Sequence, residues 1–314
     1  MKDKAEFSWM LLLPQYWPIW FGVGILRLIY LLPRKTQFAF GKQFGRLLHL
    51  IASKRRQLAL ANVTLAFPDL SDAERQNIVK QHFESLGISF IELATIWWGR
   101  YHTDDQNNES KFVEFKGLEH LREAEEKGKG VLVIFPHFTH IDTTNFYFSF
   151  VSPLMPVYRP NDNPVIDYLI LKARTLGKRK QVNIPFNDTR SIIRALKKGK
   201  DVGFLPDQRY RSRGHIKVPF FGEVAKSHSS TSKIARMTDC SVLLMLTRRT
   251  EDRYQIRFTP VLEDFPSGDD YQDTLRLHHL YEEEIRQNPS QYLWVHNRWD
   301  LKWDKEKKAY IKKA

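Results

Sequence analysis

The chain has 314 residues, 42% of them hydrophobic, and a formal net charge of +13. At roughly 100–200 residues per domain this allows one large domain or two small ones. A single cysteine, Cys240, excludes an intramolecular disulfide framework and any two-cysteine metal knuckle. The charge points to a polyanionic partner: nucleic acid, an anionic membrane surface, an acidic protein or a phosphorylated substrate. Basic clusters run from Lys54-Arg55-Arg56 to a lysine-rich tail after Lys302, spread along the whole chain. That suits a basic face on a folded domain better than a disordered arm.

Residues 10–32, "MLLLPQYWPIWFGVGILRLIYLL", carry one charge, Arg27. A transmembrane helix needs about 20 apolar residues, so this stretch can span a bilayer or lie in its interface. Trp9, Tyr16, Trp17 and Trp20 crowd one end and Arg34 and Lys35 follow the other, as headgroup anchors and a cytoplasmic flank would. Pro14 and Pro18 weaken the first turns of a spanning helix. Residues 1–33 are therefore expected to form an N-terminal membrane anchor. Residues 34–314 are expected to form one α/β domain with a helical lead-in to about residue 110. Within the lead-in, Ser71 followed by Glu74 is a capping box, and Ile78, Val79, Phe83, Leu86 and Phe90 recur at helical spacing. The polar stretch 101–110 reads as a loop.

From residue 112 the texture alternates. "FVEFKG", "GVLVIF", "LMPVYR", "QVNIPF", "DVGFLP", "CSVLLMLTRR" and "RYQIRFTPV" read as strands, separated mostly by helical segments. The fold class is α/β: a mixed, largely parallel central sheet covered by helices.

Ligands of such sheets bind at the carboxyl ends of strands. "VLVIFPHFTHIDTTN" ends a strand in His137 and places Asp142 in the first turn of the next helix. A carboxylate on one imidazole nitrogen fixes the tautomer and stabilises the imidazolium formed when the other nitrogen takes a proton. No serine or cysteine sits in a nucleophile elbow, so His137 would act as general base on a substrate hydroxyl, with Asp142 orienting it. A simple helix cap is the plain alternative. A zinc site from His137, His140 and Asp142 is another, without the usual paired-histidine spacing. Three more stretches should reach the same rim: Arg159 after "LMPVY", Asp207, Gln208 and Arg209 in "FLPDQR", and Pro219 in "VPFFG".

In this order the blocks resemble the lysophospholipid acyltransferase superfamily: the histidine–aspartate block at His137–Asp142, an arginine block at Arg159, "FLPDQ" and "VPFF". The chain is most similar to its bacterial lipid A late acyltransferases. "ALANVTLAFPDLSDAER", "GLEHLREAEEKGKGVLVIFPHF" and "NPSQYLWVHNRWDLKW" resemble that branch's helical lead-in, its approach to the histidine and its C-terminal segment. Many members carry Glu where this chain has Asp142. The resemblance implies transfer of a fatty acyl chain from acyl carrier protein to a hydroxyl on an acyl chain of a Kdo-modified lipid A precursor. His137 and Asp142 would be catalytic. Arg159, Asp207, Gln208, Arg209 and Pro219 would bind substrate. It implies no metal and no organic cofactor, and a bacterial inner-membrane enzyme whose catalytic domain faces the cytoplasm. The rivals are a glycerophosphate or mannoside acyltransferase, with acyl-CoA as a possible donor, and a non-catalytic basic protein binding membrane or nucleic acid. No nucleic-acid-binding signature is present, so nucleic acid is not expected as a partner.

Overall fold

The computed structural model describes residues 7–98, 112–173, 182–210, 214–251 and 253–312. The expected loop at 101–110 lies outside these, as do Arg211 and Arg213.

The N-terminal apolar stretch is not one helix. Two short 3-10 turns, Trp9–Leu12 and Pro14–Tyr16, precede α1 (Trp17–Tyr30). Pro14 and Pro18 each sit at the first or second position of their segment, where a missing N–H costs nothing. The prolines thus divide the stretch. Among the described residues no helix is long and apolar enough to cross a membrane. Three more helices follow: α2 (Arg34–Ile51), α3 (Ser53–Ala66) and α4 (Asp72–Trp98). The capping box holds: the Glu74 carboxylate accepts from the Ser71 N–H at 2.8 Å, and Ser71 Oγ accepts from the Glu74 N–H at 3.3 Å. α2 and α4 touch backbone to backbone. A Cβ on Gly45 would stand 2.1 Å from the Phe83 carbonyl, and one on Gly87 would stand 2.2 Å from that of Gly41.

The α/β region begins with β1 (Val113–Lys116) and α5 (Leu118–Glu126), then β2 (Val131–Ile134) and α6 (Ile141–Phe148). Next come β3 (Met155–Tyr158), α7 (Pro164–Ala173), β4 (Ile184–Pro185), α8 (Thr189–Lys197) and β5 (Asp201–Phe204). β6 (Ile216–Phe220) and β7 (Glu223–Ser227) lead to α9 (Ser230–Thr238), β8 (Ser241–Arg249) and β9 (Tyr254–Phe258). The long helix α10 (Asp270–Gln287) precedes a last hairpin, β10 (Lys302–Asp304) and β11 (Ala309–Ile311).

Seven strands form the central sheet in the order β1-β9-β8-β2-β5-β3-β4. All neighbours are parallel except β8 and β9. Every residue of β2 is buried, as a strand covered on both faces requires. Two expectations need correcting. The strand expected in "QVNIPF" shrinks to two residues at the sheet edge, because Pro185 has no N–H to extend a ladder. Pro219 in "VPFFG", expected at the sheet rim, lies on a strand outside the central sheet. That strand pairs with β7 as a separate hairpin, turned by Phe221 and Gly222 at φ 53° and 74°. A phenylalanine at positive φ is strained. Here its N–H donates to Glu282 at 2.6 Å, and the Arg286 guanidinium lies 4.9 Å from its ring.

Candidate active site

β2 leaves the sheet at Ile134, and His137 follows three residues later with its side chain 22% exposed. The carboxylate on its ring is not Asp142. Asp207, three residues beyond β5 and 1% exposed, takes both N–H groups that His137 offers. Its Oδ1 lies 2.5 Å from Nδ1 and its Oδ2 accepts the backbone N–H at 2.9 Å. Tyr292 donates its hydroxyl to the same Oδ2 at 3.0 Å. The register explains the pairing. β2 and β5 run side by side from Val131–Asp201 to Ile134–Phe204, so the residues leaving their carboxyl ends arrive together. Asp142 instead is exposed in the first turn of α6. It lines a narrow cleft with Leu93, Ile96, Trp97 and Phe146. No described hydrogen bond joins it to His137.

Burial works to raise the Asp207 pKa. The charge of His137, with hydrogen bonds from that residue and Tyr292, outweighs it and holds the carboxyl at about 2. Asp207 is therefore an anion at any physiological pH. It holds Nδ1 as a donor and leaves Nε2 with the lone pair. The neighbouring histidines are different. Burial lowers His278 to about 3, and His228 and His296 to about 4. They stay neutral at physiological pH.

The loop carrying His137 is strapped from below by the chain after α10. Leu293 N–H donates to the His137 carbonyl at 2.9 Å and Thr139 N–H donates to that of Gln291 at 2.8 Å. Phe138 and Tyr292 form an isolated bridge. The Gln291 side chain clasps the backbone of Arg249, accepting from its N–H at 2.9 Å and donating to its carbonyl at 2.8 Å. Arg298 is buried. It donates to the Lys226 carbonyl, to Ser227 Oγ and towards His278, and its charge faces Asp207. Sequence reasoning placed Gln291 and Arg298 in a family segment without a task. It named neither Tyr292 nor His278 for the site. The block "FLPDQ" is the sequence signal for Asp207, for which the family resemblance implies substrate binding.

The other expected residues scatter. Arg159 follows β3, which pairs with β5 and β4 and not with β2. Its guanidinium is 72% exposed and stands 3.8 Å from Asp162, and β5 separates its strand from that of His137. Arg209 is turned inward onto Asp300, which also holds Lys226 at 3.0 Å. Its N–H donates to His296 at 3.2 Å. Gln208 is half-buried beside Asp207. The Pro219 carbonyl, in β6, accepts from His278 at 2.6 Å. His140 is buried, stacks on Phe138 and does not meet Asp142 at a common point. Among the described residues no three metal-ligating side chains converge.

A buried carboxylate lies behind a partly exposed histidine at the strand ends, and a histidine so held can take a proton from a bound substrate and return it. Comparison with known proteins says which substrate class. A model of the bacterial lipid A biosynthesis acyltransferase family matches residues 4–300, and the chain belongs to that family. It is 30% identical to the lipid A biosynthesis palmitoleoyltransferase of Escherichia coli (strain K12) over 314 residues, 99% of this chain and 100% of that one. It is 32% identical to the lauroyltransferase of the same organism over 302 residues, 95% and 96% of the two chains. The myristoyltransferase is 24% identical over 90% and 86%. The protein is an acyltransferase of lipid A biosynthesis.

Proposed function

We propose that the enzyme moves a fatty acyl chain from acyl carrier protein to the hydroxyl of an acyl chain already carried by a Kdo-modified lipid A precursor. It does so at the cytoplasmic face of the bacterial inner membrane, with residues 1–33 as its anchor and residues 34–314 as its acyltransferase domain. The observation that carries the mechanism is the hydrogen-bonded pair of His137 and Asp207. Nε2 of His137 takes the hydroxyl proton as the oxygen attacks the thioester carbonyl. The tetrahedral intermediate collapses, the carbon–sulfur bond breaks, and the imidazolium returns the proton to the leaving thiolate. Asp207 fixes the ring and stabilises the imidazolium. Asp142, exposed in the first turn of α6, is the second carboxylate of the site and faces the substrate.

Arg159 grips a phosphate of the acceptor with its planar fork. Gln208 shapes the acceptor site beside Asp207, while Arg209 and Pro219 hold the loop and hairpin that border it. The net charge of +13 suits both an acidic carrier and a phosphorylated glycolipid. The exposed side chains Trp9, Trp17, Phe21 and Leu28 suit a lipid interface.

Two measurements test this. Mass spectrometry of lipid A from a deletion strain should lack one secondary acyl chain, and the gene should restore it; unchanged lipid A overturns the acceptor assignment. Arg159→Ala should lose transfer to the lipid acceptor and keep slow thioester hydrolysis. If both fall together, Arg159 serves the donor or the fold.

A further inference from the structure

β8 outruns its neighbour. Ile134, the last residue of β2, pairs with Leu244, and β8 continues to Arg249 past the point where the His137 loop leaves the sheet. There the Arg249 side chain, 4% exposed, turns onto α4. Its guanidinium donates to Glu92 at 2.8 Å, to Ser89 Oγ at 3.1 Å, to the Ser85 carbonyl at 2.8 Å and to Ser85 Oγ. Ser85, Ser89 and Glu92 stand at i, i+4 and i+7, so one face of the helix supplies these acceptors. With Ser85 Oγ accepting an N–H, its own hydroxyl proton is free to go to Thr139 Oγ1, 2.7 Å away. Thr139 lies two residues beyond His137.

The bonds close a ring. Thr139 N–H donates to the Gln291 carbonyl, and the Gln291 side chain clasps both backbone groups of Arg249. The Arg249 side chain then returns to Thr139 through Ser85. The loop is thereby held from α4 as well as from the chain after α10. Stability is a weak reason for a charge in this place. Desolvation offsets much of the attraction within a buried ion pair, and apolar side chains of the same volume often do as well. Here Oε1 of Glu92 is buried and accepts no hydrogen bond among the described residues. A planar fork of N–H groups supplies what an apolar side chain cannot, a fixed direction, and it sets Ser85 Oγ in one place.

We propose that Arg249 is a positioning residue for acyl transfer: seated on Glu92, it fixes Ser85, and through Thr139 it sets where Nε2 of His137 stands against the acceptor hydroxyl. The inference rests on His137 as the general base. Asp207 holds the imidazole and its Nδ1 proton, whereas the ring through Arg249 holds the backbone that carries the imidazole. Buried as it is, Arg249 touches no substrate itself.

The test is steady-state kinetics of the full chain, with a fatty acyl thioester of acyl carrier protein as donor and a Kdo-modified lipid A precursor as acceptor, alongside Tm. Thr139→Val keeps the shape and the backbone bond and removes only the hydroxyl. It should lower kcat about tenfold with both KM values unchanged, short of the roughly 10²-fold that a misplacement of about 1 Å can cost. Thr139→Ser puts the hydroxyl back and should return kcat towards wild type. The double variant Glu92→Met with Arg249→Met leaves no ion buried alone, so its Tm should match or exceed that of wild type. Its kcat should nevertheless fall at least as far as that of Thr139→Val. Wild-type kcat in Thr139→Val, or in the folded double variant, overturns the proposal. So do equal losses in Thr139→Val and Thr139→Ser, and so does a loss that lies in KM, which would put Thr139 against the substrate. If the double variant does not fold, the Thr139 pair decides alone. His137→Ala in the same assay separates the two readings. Wild-type turnover there overturns the base itself, whereas an inactive His137→Ala beside an unimpaired Thr139→Val overturns the positioning role alone.

Discussion

β5 carries an aspartate at each end, and the two are driven in opposite directions. Asp207, beyond the carboxyl end, is held at about 2, whereas Asp201, at the amino end, is pushed up to about 7. Burial raises both. The partner decides the outcome: Asp207 meets a histidine and a tyrosine hydroxyl, while Asp201 shares Ser152 with Glu125, a second acid. Burial alone therefore says little about the charge of a carboxyl. At the rim, His137 and Tyr292 keep Asp207 an anion. At the far end a proton stays between two acids.

The rim is the more sensitive end. His137→Ala should reduce acyl transfer by about 10²–10⁴-fold, the usual contribution of a general base. Asp207→Asn should approach that loss, because an amide cannot stabilise imidazolium. Asp142→Asn should retain more activity than Asp207→Asn in the same transfer assay. The reverse order would show that the carboxylate steadying the imidazolium during turnover is Asp142.

Tyr292→Phe removes one donor from the buried carboxylate and nothing else of comparable size. Hydrogen bonds to charged groups are worth about 1.5–3 kcal/mol, so turnover should fall by about tenfold with an unchanged circular dichroism spectrum. Wild-type turnover would make Tyr292 a packing residue.

The amino end answers to pH in the opposite sense. The folded pKa of Asp201 lies above its value in an unfolded chain, so the folded state holds the extra proton between about pH 4 and 7. Stability from this group is present at acid pH and is lost as pH rises through 7. Asp201→Asn should gain on wild type as pH rises from 4 to 7, and its Tm advantage should be a few degrees larger at pH 8 than at pH 4. A Tm difference that does not change with pH would show that Asp201 is already ionised in the folded state. Glu125→Gln is the smallest change. Removing the neighbouring acid should move the pH midpoint of that loss downward by less than a unit, read from Tm against pH.

The rim histidine was legible from local pattern alone, since a run of buried β-formers ending in Phe-Pro-His can only be a strand end. The capping box at Ser71 and the alternation after residue 112 were equally local. The partner of that histidine was not. The spacing to Asp142 is a property of one loop, whereas Asp207 is brought in by the register of β2 on β5, which depends on strand order. Asp207 is visible in the sequence as a polar residue after a strand, but its hydrogen bonds to His137 are not. β7 escaped notice because "EVAKS" is short and half polar, and it exists only as the partner of β6. The N-terminal stretch was legible in hydropathy but not in shape, because each proline starts a segment instead of continuing one.

The strap beneath His137 has a consequence for the order in which the enzyme comes into being. Every strand of the central sheet, and both His137 and Asp207, precede α10 in the chain. Tyr292, Gln291 and Leu293 follow it. As the chain leaves the ribosome, the sheet can assemble while the histidine loop still lacks the bonds to its carbonyl, to Thr139 and to Asp207 that the later segment supplies. The bonds that hold the His137 loop are thus completed late in synthesis, after the N-terminal helices and the whole central sheet have been made.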